Sequence, residues 1–163
     1  MVVDQLARWT GDGFRDKFKA HHAKGRLGND DLHLLKPMTY MNVSGPSVGA
    51  AASFFKLPME RTIVIHDELD LPFGTLRLKV GGGHAGHNGL RSIFQHFGRD
   101  FIRLRCGIGR PQHGDVSNWV LSDFSADERI SLDGMIEDAA KAIEDVLRDG
   151  ALATMNQLND RTR

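Results

Sequence analysis

The run TIVIH, Thr62 to His66, constrains the fold more than any other stretch of the chain. It is continuously apolar and β-branched rather than alternating, the pattern of a fully buried central strand. Such a strand needs cover above and below, so the rest of the chain has to supply helical layers. MVVDQLARW spaces Val2, Val3, Leu6 and Trp9 along one helical face. SGPSVGAAASFFK carries Pro46 in a first turn, where the missing N–H costs little, and a small run from Gly49 to Ala52 that suggests close packing on a sheet. NGLRSIFQHF places Leu90, Ile93, Phe94 and Phe97 at helical spacing. Ser125 and Glu128 have capping-box spacing ahead of a long helix. Its stripe runs Leu132, Met135, Ile136, Ala139, Ile143, Val146 and Leu147, and Gly150 ends it before a short final helix in ALATMNQLN.

The remaining strands are equally legible. KAHHAKGRLGNDDLHLLKP reads as a hairpin about Gly28-Asn29-Asp30, with His21, His22 and His33 as exposed strand residues. TLRLKV alternates Leu76, Leu78 and Val80 with Arg77 and Lys79, and FIRLRCGIG alternates Ile102, Leu104 and Cys106 with Arg103 and Arg105. Each is expected to be half-buried with one basic face. Strands interleaved with helices, without repeat or linker, predict a single α/β domain over residues 1–163, its mixed, twisted sheet flanked by helices.

Charge and cysteine content narrow the function classes. Lys plus Arg equals Asp plus Glu at 21 each, which argues against a protein that coats nucleic acid through bulk charge but leaves room for a local patch. The lone Cys106 sits in an apolar run and reads as a buried, inert thiol in a reducing compartment. No apolar run reaches membrane-spanning length and no signal peptide is visible, so the expectation is a soluble, intracellular protein.

Four polar clusters end apolar elements: KPMTYMNVSG, HDELDLPFG, GGGHAGHNGL and the Arg103–Arg105 pair leading into GIGRP. Ligands of open α/β sheets bind where strand ends meet loops. Asp67 follows TIVIH directly and could orient a histidine by accepting its N–H, although capping is the plainer use of an aspartate there. Asn42 and Asn88 each offer an amide that donates and accepts, or else an Asx-turn or helix cap. His66, Asp67, His84 and His87 invite a metal, but no cysteine knuckle or HExxH accompanies them. GGGHAG lacks the Lys-Ser/Thr of a nucleotide loop, and no GxSxG elbow is present. Arg77 with Lys79, and Arg103 with Arg105, make compact positive patches on strand faces, suited to RNA phosphates if they are more than a solvated surface.

In this order, KPMTYMNVSG, HDELDLPFG, GGGHAGHNGL and RLRCGIGRP closely resemble the bacterial peptidyl-tRNA hydrolases, and VLSDFS and ATMNQLN are similar to that family's C-terminal region. The resemblance implies a three-layer sandwich of the phosphorylase/hydrolase kind, and a monomeric, cytoplasmic esterase that needs neither cofactor nor metal. Its partner would be peptidyl-tRNA, bound at the acceptor end and 3′ CCA. Asp67 would support the catalytic histidine, while Asn42 and Asn88 would hold substrate and help position water. Tyr40, Met41 and His87 would line the cleft, and Lys79 with Arg103 or Arg105 would meet tRNA phosphates.

The family pattern begins with a strand, a Gly-Asn-Pro-Gly loop and a histidine-bearing segment that have no match here. The expectation is therefore a mis-assigned start or a shortened chain, a sheet without its first strand, and impaired hydrolysis, with His66, His84 or His87 as substitute base if turnover persists. The alternative is a non-catalytic RNA-binding relative of the same fold.

Overall fold

The alternation read from the sequence is present in the computed structural model, which describes residues 2–10, 13–38, 44–84, 86–109 and 126–161. Helix α1 (Val2–Thr10) leads into strands β1 (Arg15–Lys17), β2 (Ala20–Leu27) and β3 (Asp30–Pro37). Helix α2 (Ser44–Phe55), a 3₁₀ turn (Met59–Arg61), β4 (Ile63–Glu68), β5 (Leu76–Val80), α3 (Asn88–Phe97) and β6 (Ile102–Gly107) follow. Two helices close the chain, α4 (Ala126–Asp149) and α5 (Ala151–Arg161). The capping box expected at Ser125 and Glu128 falls outside the described residues and side chains. Two compact units result, one chiefly Val3–Val64 with Val80–Ile102, the other chiefly Ile65–Lys79 with Arg103–Arg163.

In the first unit β1, β2 and β3 form an antiparallel sheet in that order. Leu27 pairs with Asp30 across a two-residue turn, and Gly28 supplies φ +62° at its first position, as a II′ hairpin requires. The β1–β2 turn is less ordinary, because Phe18 and Lys19 both take left-handed φ, at 59° and 53°. One face of this sheet is covered by α1. A Cβ at Gly25 would run into the Thr10 side chain, and Asp4 accepts a hydrogen bond from Lys36. Ala23 and Leu34, paired across the strands, are buried on that face.

Helices α2 and α3 meet through small residues. A Cβ at Gly45 would strike the Ser92 carbonyl, and one at Gly49 would lie 3.1 Å from the His96 carbonyl oxygen. Gly45 and Gly49, like Ser92 and His96, are four apart, so two i, i+4 rows pack together. The Gly45 N–H donates to Ser92 Oγ at 2.8 Å. Gly49 of the glycine–alanine run thus lies against α3, and Ala51 and Ala52 are buried too. Beneath it Leu90, Ile93 and Phe101 form a core with Val48, Met59, Val64, Phe94 and Phe97.

The second sheet is ordered β4–β6–β5. Bonds from Ile102 N to Thr62 O and from Ile108 N to Glu68 O run in step, so β4 and β6 are parallel. Bonds from Gly107 N to Thr75 O and from Gly81 N to Phe101 O run in opposition, so β5 and β6 are antiparallel, and the sheet is mixed. TIVIH is therefore not the central strand among the described residues. Ile63, Val64 and Ile65 are only half-buried, and the central place belongs to β6, where Ile102, Arg103, Leu104, Cys106 and Gly107 are all buried. Val80, expected inside, is 47 % exposed at the end of β5.

In the second unit Leu76, Leu78, Leu104 and Cys106 are buried, and so are Leu132, Ala139, Ile143 and Val146 along α4. Asn159 on α5 accepts from Leu78 N at 3.1 Å and donates to Leu78 O at 3.3 Å. One side-chain amide thereby replaces a neighbouring strand on the free edge of β5.

Candidate active site

The HDELDLPFG segment leaves β4 and folds back over the end of β6. Gly74 N donates to Gly107 O at 3.2 Å and Gly109 N to Leu71 O at 2.9 Å. Gly107 has to be glycine, because a Cβ would meet the Pro72 carbonyl and the Leu71 side chain. This closure holds Asp67 and Glu68 at the last positions of β4, both half-buried. His66 is buried, and its Nδ1–H donates to the Asp67 carbonyl at 2.8 Å, which places the imidazole lone pair on Nε2.

The β5–β6 register sets Lys79 beside Arg103 and Arg77 beside Arg105. Alternation puts these four side chains on one face of the ladder, opposite the buried leucines. They are not equivalent. Lys79 is exposed, Arg105 meets Glu68 at 3.5 Å, and Arg103 is only 3 % exposed. Burial, reinforced by the Arg105 charge, lowers the Arg103 pKa. The two arginines therefore do not form an open pair, and Arg103 departs from the half-buried strand expectation. Like charges across a ladder repel, and Glu68 offsets that repulsion at Arg105.

In the first unit the GGGHAGHNGL loop enters α3. His87 is the N-cap, and its Nδ1 accepts from Leu90 N at 3.2 Å. His84 Nδ1 accepts from Gly86 N at 3.0 Å, and its ring lies 5.6 Å from that of Phe94. Both rings use Nδ1 to satisfy backbone, which leaves the proton on Nε2 in the neutral form. Asn88, the first helical residue, is exposed and takes no part in the cap. The capping role weighed for Asn88 thus belongs to its neighbour.

Asp67, Lys79, Arg103 and Arg105 fall in one unit, and His87 and Asn88 in the other. Tyr40 and Asn42 lie outside the described residues. Among the described residues no cluster of three or more His, Cys, Asp or Glu could hold a metal ion, and no helix is long and apolar enough to cross a membrane. Cys106 is buried beside Asp67, and its thiol is pushed up to about 12, first by burial and then by that carboxylate. It is no nucleophile at neutral pH.

Sequence reasoning missed the aromatic environment of two histidines. His22 and His33, expected as exposed, lie 3.2 Å apart through Nε2 and Nδ1 and stack on Phe55 at 4.9 and 4.0 Å. The signal was present in the hairpin register, since His22 and Lys24↔His33 alternate onto one face.

These elements define an α/β protein with a mixed sheet, bearing acidic, amide and guanidinium groups at strand and helix ends. The family model "Peptidyl-tRNA hydrolase" matches residues 1–163. A curated peptidyl-tRNA hydrolase of Sorangium cellulosum is 51 % identical over 100 % of this chain and 75 % of its own length. One from Geotalea daltonii is 48 % identical over 99 % of this chain and 85 % of its own. The crystal structure of peptidyl-tRNA hydrolase from Acinetobacter baumannii superposes with a TM-score of 0.90 at 40 % identity, over 97 % of this chain and 82 % of that one. The chain belongs to the peptidyl-tRNA hydrolase family.

Proposed function

We propose that this protein hydrolyses the ester joining a peptide to the 3′-terminal ribose of tRNA. The observation that carries the reading is the family match over residues 1–163. In it Asp67 orients the group that activates water, and Tyr40, Asn42, His87 and Asn88 are substrate-binding residues. Lys79 and Arg105 meet phosphates near the acceptor end and 3′ CCA. Of the two arginines, Arg105 takes this role, because Arg103 is too deeply buried to reach a phosphate. No step in this scheme calls for a metal or an organic cofactor, and one polypeptide suffices.

The test is release of N-acetyl-aminoacyl residues from tRNA by this chain, alone and extended N-terminally with the family's histidine segment. Ester cleavage that survives a chelator and falls by about 10²-fold or more in Asp67→Asn supports the reading. Tight tRNA binding without cleavage by either form would turn it toward the non-catalytic RNA-binding alternative.

A further inference from the structure

We propose that the face of the β1–β3 sheet opposite α1 is a binding surface for single-stranded RNA, with Lys17, Arg15 and Lys24 on phosphates and Phe54 beneath a base. It goes beyond ester hydrolysis and is tested on RNA that carries no acyl group.

The first support is charge placement. Arg15 pairs with His22 across β1 and β2, so strand alternation brings Arg15, Lys17, His22 and Lys24 to one face. They line a single open hollow of about 580 Å³. Among the described residues that line it the one acid is Asp16, which meets His21 at 3.4 Å. Among the described residues neither Arg15, Lys17 nor Lys24 has a carboxylate within ion-pair distance. Elsewhere cations do find acids, as Lys36 finds Asp4 and Arg105 finds Glu68. In a chain with 21 basic and 21 acidic residues this concentration is local. Cations that no carboxylate among the described residues pairs raise the local concentration of a polyanion.

The second support is the aromatic setting. Lys17 Nζ lies 4.1 Å from the centroid of Phe54 and 5.3 Å from those of Phe18 and Phe55. Rings hold the ammonium in place without cancelling its charge, as a carboxylate would. Phe54 is nevertheless 61 % exposed. An exposed ring beside fixed cations is what unpaired nucleotides use, because every base has a face to stack and every link a charge to neutralise. An acidic polypeptide would need the cations but not the ring.

The third support is strain. The turn that delivers Lys17 and Phe18 to this cluster is built from two non-glycine residues at left-handed φ. Such a conformation costs about 1–2 kcal/mol per residue, and persists where surrounding structure enforces it. Here Phe18 is anchored on Phe54 and Phe55 at 5.5 and 5.7 Å, and the Lys19 carbonyl accepts from Met38 N at 3.0 Å.

The experiment is fluorescence anisotropy of a labelled, unacylated oligoribonucleotide titrated with the full chain at several salt concentrations. Lys17→Gln and Lys24→Gln should each weaken binding about fivefold and flatten the log–log salt slope by about 0.7 per lost phosphate contact. Phe54→Ala should weaken it about tenfold with the slope unchanged. Phe54→Leu keeps apolar volume but removes the stacking face, so it should bind like the alanine variant. Lys141→Gln, exposed on α4, should match the parent. Thermal unfolding of each variant separates lost binding from lost folding. Parental affinity and slope in the lysine variants would overturn the proposal, as would parental affinity in Phe54→Leu. Polyglutamate that displaces the label as well as unlabelled RNA does would overturn it too, and would point to an acidic polypeptide. Absence of ester hydrolysis bears on the enzymatic reading alone.

Discussion

Replacing Gly45 by alanine pits two well-separated effects against each other. Helix propensity alone favours the change by at most about 1 kcal/mol, since Gly45 lies in the first turn of α2. At Gly45, however, the new methyl would occupy the space of the Ser92 carbonyl, with the carbonyl carbon at 2.5 Å and His96 Nδ1 at 2.6 Å. The obstacle is helix backbone, which cannot rotate away as a side chain can. Helices α2 and α3 have to separate, at the cost of overpacking, about 1–3 kcal/mol. Separation also stretches the 2.8 Å bond from Gly45 N to Ser92 Oγ, worth about another 1 kcal/mol. The sum outweighs propensity, and a net destabilisation of about 1–3 kcal/mol is expected. Gly134 on α4 is the control, because a Cβ there meets nothing within 4 Å and propensity acts unopposed. Gly134→Ala should stabilise by about 1 kcal/mol. In urea, with a slope of about 2 kcal/mol per molar, the two midpoints move apart by about 1–2 M. If both substitutions shift the midpoint upward, the helix–helix contact is not close and the reasoning fails.

Stability should also fall with acid in a way traceable to one pair of rings. Burial lowers the pKa of His22 and His33 below the ordinary 6.5, with His33 and Lys17 adding to the effect on His22 and Lys24 adding to that on His33. Because the folded values are depressed, the stability of the neutral pair is complete above about 6.5 and is lost as pH falls through the folded values. Urea midpoints measured from about pH 8 to about pH 5 should decline, and decline less in a His22→Leu, His33→Leu double variant. Lys19→Gly relieves a left-handed non-glycine residue and should stabilise by about 1 kcal/mol, read as a raised melting temperature. Arg105→Gln should weaken tRNA binding with a shallower salt dependence, whereas Arg103→Gln should mainly lower the melting temperature, since Arg103 is buried.

Element types were legible because periodicity is a local property, and helix α3 and the β2–β3 hairpin follow their patterns closely. What misled was the step from pattern to neighbour. TIVIH has the composition of a strand covered on both faces, yet composition does not say which strands flank it, and β6 takes the centre of the described sheet. Arg103 alternates as a surface residue should, but the central strand is buried on both faces and takes it inside. The small residues of α2 announced a close approach without saying that its partner was α3. At the site, Asp67 and the glycine loop stood out by their place at element ends. The division of labour between His87 and Asn88 did not, because cap and first helical residue differ by one position and only backbone geometry separates them.

Cys106 has a practical consequence. It is the chain's single cysteine, it is buried, and its thiol is raised to about 12, so it stays protonated and shielded from maleimides at neutral pH. The unmodified protein is therefore chemically silent toward thiol-directed dyes. A fluorophore attached through Leu152→Cys, at a position 67 % exposed on α5, would report from one known place without removal of the native residue.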